Sequence, residues 1–256
     1  MSESMSSSWV KSLNLPLEED RQSGWQPYNI FRGSTRCMDD FSSHVSVLSP
    51  GITPHKPHSH QEEELLIMLS GEADIVMLDP KRGQSKTRER VMPGTLVYYP
   101  AFQPHTIQNA STEPVTYLMF KWWEEKQLKK GDHLKTAVFH YRKNAVHSSS
   151  GSGNGFYTKV IFDHPTGYLS KLHCHISALQ PGVGYPSHDD EYDVAILLLE
   201  GTVETLGQRV GSRGVIFYAA GEPHGIKNVG DIPEHYLVLE FHCNARSKLS
   251  QIFKAR

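Results

Sequence analysis

Cysteine is scarce: of 256 residues only Cys37, Cys174 and Cys243 are cysteines, widely separated and never arranged as C-x-x-C. That excludes a disulfide framework and a cysteine-rich zinc site, and it predicts buried thiols. No apolar run approaches the roughly 18 residues that cross a bilayer, and the opening MSESMSSSWV lacks the basic-then-apolar pattern of a signal peptide. The expectation is a soluble cytoplasmic protein with no membrane partner. Positive charge is not in excess either, since 26 Lys and Arg stand against 28 Asp and Glu. Nucleic acid is therefore not an expected partner. Phosphate loop, dinucleotide fingerprint and nucleophile elbow are all missing. Helical periodicity is nearly absent, with only EEKQLKKGDHLK (124–135) reading as a helix.

What the chain does have is self-similarity. SGWQPYNIF (23–31) lies over NGFYTKVIF (154–162), HVSVLSPG (44–51) over HISALQPG (175–182), and Thr35 over Thr166. Further on, YPAFQPHTIQN (99–109) lies over YAAGEPHGIKN (218–228), and PVTYLMF (114–120) over PEHYLVL (233–239). The charged DPKRGQSKTRER (79–90) is an insertion in the first copy, of the kind surface hairpins carry. So long a period marks a duplicated domain. Within each copy, short runs rich in Val, Ile, Leu, Phe and Tyr alternate with Gly- and Pro-containing turns, the punctuation of an all-β sandwich or barrel. The organisation read from this is a flexible N-terminal arm (1–22), a first barrel (23–123), a linker with a short helix (124–153) and a second barrel (154–256).

Chemistry concentrates in HKPHSHQEEELLIMLSGEADI (55–75). Alternate side chains of a strand share a face, so His58, His60 and Glu64, all at even positions, point together into the barrel if the pairing is regular. Two imidazoles and a carboxylate on one face make a cation site in want of a fourth ligand. His105, after the Pro-bounded turn YPAFQPH, can supply it. A cation there stabilises the ionised carboxylate and keeps the imidazoles neutral. Leu66 and Met68 share the ligands' parity and are expected to line the pocket, with Phe102 at its rim. Glu62 and Glu63 fit a solvated, charged turn.

At these residues the chain resembles the cupin family. The family's first motif reads here as Gly51, His58, His60, Glu64 and Gly71, with a spacer of six residues after Gly51 where five is usual. Its second reads as Gly94, Pro100, His105 and Asn109, with Phe102 where a glycine is expected. The resemblance spans both copies and implies a bicupin: two tandem double-stranded β-helix (jelly-roll-like) barrels. It also implies one divalent transition metal held by His58, His60, Glu64 and His105, with open positions left for water, O2 or substrate. Imidazole with carboxylate suits Fe, Mn, Ni or Zn and does not choose among them.

The second copy carries His188, Asp190, Val194 and His224 at the equivalent positions. Two readings stand: a barrel that has lost its metal and serves as scaffold, or a second metal site of two histidines and one carboxylate (His188, Asp190, His224). Glu191 and Asp193 are substitute ligands if the register differs. His173 and His175 share a strand face, read as packing between barrels, with a metal pair as the rival. The functional expectation is a metal-dependent oxidoreductase of dioxygenase type acting on a small metabolite, with Glu64 also moving a proton. Its alternatives are an isomerase, lyase or hydrolase on a sugar- or keto-acid-like substrate, and a non-catalytic ligand-binding or storage protein. Exposed edge strands are compatible with a homodimer.

Overall fold

A computed structural model describes residues 3–5, 7–13, 24–79, 86–125, 131–143, 146 and 154–243. Its strands run in chain order. The first eleven are β1 (Glu3–Ser4), β2 (Trp9–Ser12), β3 (Trp25–Ser34), β4 (Asp40–Leu48), β5 (Glu63–Ser70), β6 (Ala73–Leu78), β7 (Lys86–Val91), β8 (Thr95–Tyr99), β9 (His105–Gln108), β10 (Val115–Trp123) and β11 (Ala137–His140). Then follow β12 (Phe156–His164), β13 (Lys171–Leu179), β14 (Gly184–His188), β15 (Asp193–Glu200), β16 (Thr202–Thr205), β17 (Gln208–Gly211), β18 (Gly214–Tyr218), β19 (His224–Asn228) and β20 (Glu234–His242).

The fold is all-β and jelly-roll-like. In the first half, a sheet ordered β1-β3-β4-β10-β5-β8-β11 packs against a smaller one ordered β7-β6-β9. Leu48, Leu66, Met68 and Tyr117 from the large sheet meet Ile75 and Ile107 from the small one in a buried core. In the second half the sheets are β12-β13-β20-β15-β18-β2 and β14-β19-β16-β17, with Ile196, Tyr236, Val203 and Ile226 in the corresponding core. The central strands β5 (EELLIMLS) and β15 (DVAILLLE) are apolar on both faces because both faces are covered.

Two expectations about the connecting segments need correction. Among the described residues there is no helix in the linker. Residues 126–130 lie outside the description, and β11 instead extends the first sheet by pairing with β8. Nor is the N-terminal segment merely a loose arm, since β2 pairs antiparallel with β18 of the second half, Trp9 opposite Phe217 and Ser12 opposite Gly214. An edge strand with open hydrogen-bonding groups recruits whatever strand lies within reach, and β8 and β18 are each covered this way.

The face between the halves is aromatic. Phe41 lies 4.8 Å from Phe241, Trp122 5.4 Å from Phe241, and Trp9 5.0 Å from Phe31, ring centroid to centroid. Glu63, expected in solvent, is fully buried here. Its Oε2 accepts a hydrogen bond from Trp122 Nε1 at 2.8 Å, and its Oε1 accepts one from the Gly167 amide at 2.6 Å. Asp193 does the reciprocal work from the second half, accepting from the Ala220 amide at 3.0 Å, with Thr35 also hydrogen-bonded to it. Asp193 is thus an interface residue and not a ligand, and Glu191 is exposed. The strand period of two explains the division: consecutive Glu63 and Glu64 point to opposite faces of β5.

The cysteine expectation also changes. Cys37 and Cys243 form a disulfide across the two halves, with Cα atoms 5.1 Å apart, and only Cys174 is a free, buried thiol. Bridging needs proximity in the fold, which a separation of 206 residues conceals in the sequence. No helix among the described residues is long and apolar enough to cross a membrane.

Glu234, at the start of β20, is fully buried, and among the described residues neither of its oxygens has a hydrogen-bond partner. Burial pushes its carboxyl up to about 8. A folded-state value above that of the unfolded chain means the unfolded state loses its proton first, so stability falls as pH rises from the ordinary carboxylate range towards 8. Glu234→Gln removes this cost. Its Tm should exceed that of the parent by an amount that grows between pH 5 and pH 8; a difference independent of pH would contradict this origin.

Candidate metal centre

His58 and His60 do not lie on a strand with Glu64, as their parity suggested, because β5 begins only at Glu63. Backbone bonds place them instead. His58 and His105 form an isolated antiparallel bridge, His58 N donating to His105 O at 3.2 Å and His105 N to His58 O at 3.0 Å. The Phe102 amide donates to His60 O at 2.7 Å. The loop carrying the first two histidines is therefore laced to the turn carrying the third.

The side chains converge at the mouth of the first half. His60 Nε2 is 3.3 Å from Glu64 Oε2, and His105 Nε2 is 3.4 Å from Glu64 Oε1. One nitrogen or oxygen from each of the three lies within 4.8 Å of the others. His58 stands beside them, its ring centroid 5.3 Å from that of His60 and 5.6 Å from that of His105. Each Nε2 is aimed by what its other nitrogen does. His60 Nδ1 lies 3.0 Å from Glu62 O, and His105 Nδ1 lies 2.8 Å from Gln103 O. A carbonyl can only accept, so Nδ1 carries the proton and Nε2 keeps its lone pair for the centre. Tyr99 stacks on His105 at 4.1 Å and holds its plane.

These residues fit a divalent ion. With bonds of roughly 2.0–2.2 Å, ligand atoms on one ion sit about 3.0–3.5 Å apart, which is the spacing of both imidazoles from Glu64. Glu64 is buried, and neither of its oxygens receives a well-aligned hydrogen bond. Burial by itself raises its carboxyl, but the charge and proximity of His105, the His60 imidazole and the Lys121 ammonium outweigh burial and hold it well below the usual range. Partial burial, helped by the neighbouring imidazoles of His55, His105 and His60, pushes the exposed His58 down to about 4, which favours its neutral form. Burial also opposes charge on His105, yet Glu64 wins and raises it.

Lys121 escaped the sequence reading. It lies on β10 directly opposite Glu64 on β5, with its ammonium 3.1 Å from Glu64 Oε2 and 3.4 Å from His60 Nε2. The signal was present in the cross-strand register, which sequence alone does not supply. The adjoining cavity, about 260 Å³, is walled by His44, His55, Leu66, Tyr117, Met119 and Lys121 among others. Leu66 is there as expected, but Met68 and Phe102 are not. Met68 lies deeper, in the core between the sheets. Phe102 is 56% exposed and holds a left-handed backbone, φ 62°, because the turn that reaches His60 requires it.

At the equivalent turn of the second half, Gly221 (φ 83°) donates its amide to Asp190 O at the same 2.7 Å. A left-handed conformation costs a side-chain-bearing residue roughly 1–2 kcal/mol. Phe102→Gly should therefore stabilise the chain by about 1 kcal/mol, after the entropy of the added glycine is counted. A fall in Tm would show that the phenyl ring contributes more than its exposure suggests.

The second half brings His188, Asp190 and His224 together. Asp190 Oδ2 lies 3.4 Å from His224 Nε2 and 3.7 Å from His188 Nε2. Val194 stands opposite Glu240 on β20, the position that corresponds to Glu64 opposite Lys121. The supporting shell is reproduced: His224 Nδ1 is 2.9 Å from Glu222 O, and Tyr218 stacks on His224 at 3.9 Å. So is the motif asparagine. Asn109 Nδ2 donates to Leu48 O and Glu113 O, and Asn228 Nδ2 to Leu179 O and Ile232 O, at 2.7–2.9 Å. These asparagines close turns and take no part in a site. His175 does not pack between the halves; it lines the cavity of the second half, about 350 Å³, together with His188, Asp190, His224 and Glu240.

Residues 44–121 match the family described as Cupin domain. No curated protein matches the chain in sequence. Among solved structures it is similar to a putative glyoxylate induced protein from Pseudomonas aeruginosa, with 15% identity over 94% of this chain and 91% of that one, TM-score 0.68. It is similar to the protein Ylba from E. coli, with 13% identity over 92% and 91%, TM-score 0.65. It is also similar to Lactobacillus farciminis oxalate decarboxylase in complex with formate, with 15% identity over 92% and 86%, TM-score 0.62. At these identities the likeness is one of fold.

Proposed function

We propose, from the cupin domain at 44–121, that the chain is a bicupin enzyme whose first barrel uses one divalent transition metal to act on a small, carboxylate-bearing metabolite. The observation that carries this is the convergence of His60 Nε2, His105 Nε2 and the buried Glu64 carboxylate at single-ion spacing, each imidazole clamped by a backbone carbonyl. His58 completes the set by a turn of its neutral ring. An ion held by these residues would supply a Lewis acid that polarises a substrate oxygen or activates O2.

The chain's own groups do the rest. The Lys121 ammonium, 3.1 Å from Glu64 Oε2 and in the cavity wall, would be free to pair with a substrate carboxylate and fix its orientation if an ion took up the charge of Glu64. Leu66 and Met119 exclude water from the reacting end. Glu64, which lines the cavity, would take a proton from the substrate only through a carboxylate that shifts off the ion. A cavity of about 260 Å³ takes a metabolite of a few carbons.

Dioxygenase-type oxidation is the first reading of the reaction. Lys121 also favours a second, lyase-type cleavage beside a carboxylate, the class to which the structurally similar oxalate decarboxylases belong by name. The second barrel holds its His188, Asp190 and His224 set as a candidate auxiliary site.

The test is to strip the full chain with chelator, reload it singly with Fe, Mn, Ni or Zn, and follow O2 uptake and CO2 release with small keto acids, dicarboxylates, diols and phenols. Metal-dependent turnover that is lost in His105→Ala supports the reading. Turnover by none of the reloaded forms, with ligand binding unchanged in His105→Ala, overturns it in favour of a non-catalytic binding protein.

A further inference from the structure

The two halves carry different chemistry along one row of cross-strand neighbours. In the first half the row across β3, β4, β10 and β5 reads Arg32, Ser42, Lys121, Glu64. In the second, across β12, β13, β20 and β15, it reads Asp163, His173, Glu240, Val194. Both cations have become carboxylates, the serine has become an imidazole, and the row's only carboxylate in the first half has become valine. Two residues along β13, His175 adds a second imidazole on the same face.

These side chains meet. His173 Nε2 is 3.1 Å from His175 Nδ1, and Glu240 Oε1 is 4.0 Å from His175 Nδ1. One atom from each of the three lies within 4.8 Å of the other two. Three donors on one zinc ion, bonded at roughly 2.0–2.2 Å, are about 3.3–3.5 Å apart, so small side-chain adjustments seat a single ion among them.

The outer partners point the same way. Asp163 Oδ2 lies 3.1 Å from His173 Nδ1 and fixes that proton, leaving Nε2 to face the cluster. His242 Nε2 lies 2.8 Å from Glu240 Oε2 and occupies that oxygen, leaving Oε1 free to turn inward. A carboxylate behind the histidine is the arrangement that orients metal-bound imidazoles.

We propose that His173, His175 and Glu240 form a second kind of cation site in this protein, on the sheet of the second half, taking Zn2+ or a similar borderline divalent ion. It is separate from the histidines of both cupin-motif positions. Two nitrogens and one oxygen suit zinc, which accepts mixed imidazole and carboxylate ligands. Three protein ligands leave a coordination position for water or a ligand carboxylate, and since His175 and Glu240 line the cavity of the second half, that position opens into it. The site does not depend on the metal proposed for the first barrel.

Crystals of the full chain soaked in Zn2+ and measured on both sides of the zinc absorption edge test this. The expected result is an anomalous peak within about 2.0–2.2 Å of His173 Nε2, His175 Nδ1 and a Glu240 oxygen. In solution, His173→Gln and Glu240→Gln should each bind one Zn2+ fewer per chain than the parent. Asp163→Asn, an exposed and structurally mild change, should keep the site but weaken it about 10- to 100-fold in a Zn2+ titration. The parent crystal alone decides the matter if a variant fails to fold. No anomalous peak at these atoms, or a Zn2+ count unchanged in both glutamine variants, overturns the proposal; either result leaves the first-barrel reading standing.

Discussion

Glu64→Gln should abolish metal retention and, in the metal-free chain, cost about 3 kcal/mol of stability, the lower end of what breaking a buried ion pair costs. Both effects have one cause. Glu64 is the sole carboxylate among the converging side chains, is fully buried, and faces His60, His105 and Lys121 at 3.1–3.4 Å. The amide keeps the shape and removes the charge, leaving the Lys121 ammonium without its counter-ion. The penalty stays at the lower end because Lys121, 24% exposed, can turn its head to solvent. Metal affinity should fall by more than about 100-fold, beyond the range seen when only an outer partner of a ligand is lost. Metal titration and urea unfolding in chelator read the two effects separately. Equal affinity in the variant would show that Glu64 is no ligand.

Glu63→Ala, one residue away, should leave the metal site intact and destabilise the chain by about 3–5 kcal/mol. Its oxygens satisfy Trp122 Nε1 from its own half and the Gly167 amide from the other. Alanine strands both donors where water does not reach, at about 1–3 kcal/mol for each, and leaves a void beside Trp122. Glu63→Gln should cost less, because the amide oxygen still accepts one of the two bonds. Burial raises the Glu63 carboxyl despite these donors. A loss below about 1 kcal/mol for alanine, measured by urea unfolding, would mean that the halves are held together by their aromatic face alone.

The contrast between these adjacent glutamates shows what was legible in the sequence. The spacing of His58, His60, Glu64 and His105 picked out side chains that lie close together, His60, Glu64 and His105 with ligand atoms within 4.8 Å of one another and His58 beside them, although strand parity does not explain the placement of His58 and His60. Parity fails at His58 and His60 because the chain there is a loop held by amides of a distant turn. Glu63 looked like a solvated charge because its partners, Trp122 and Gly167, are 59 and 104 residues away. The same distance hid Lys121, the Cys37 to Cys243 bond and the pairing of β2 with β18. Local patterns gave the strands and turns, whereas long-range register decided which faces they share. Phe102 illustrates the limit from the other side. Its departure from the expected glycine was visible, but that the backbone would keep the left-handed turn and turn the ring outwards was not.

The most direct test of the account is a crystal structure of the full chain grown with excess Mn2+ or Fe2+ and measured for anomalous signal. The account predicts a single strong peak in the first half of the chain, bonded at about 2.0–2.3 Å to His60 Nε2, His105 Nε2 and Glu64, with the His58 ring turned in and the Lys121 ammonium displaced towards the cavity. A map without a peak there, and with Lys121 still in contact with Glu64, would contradict it.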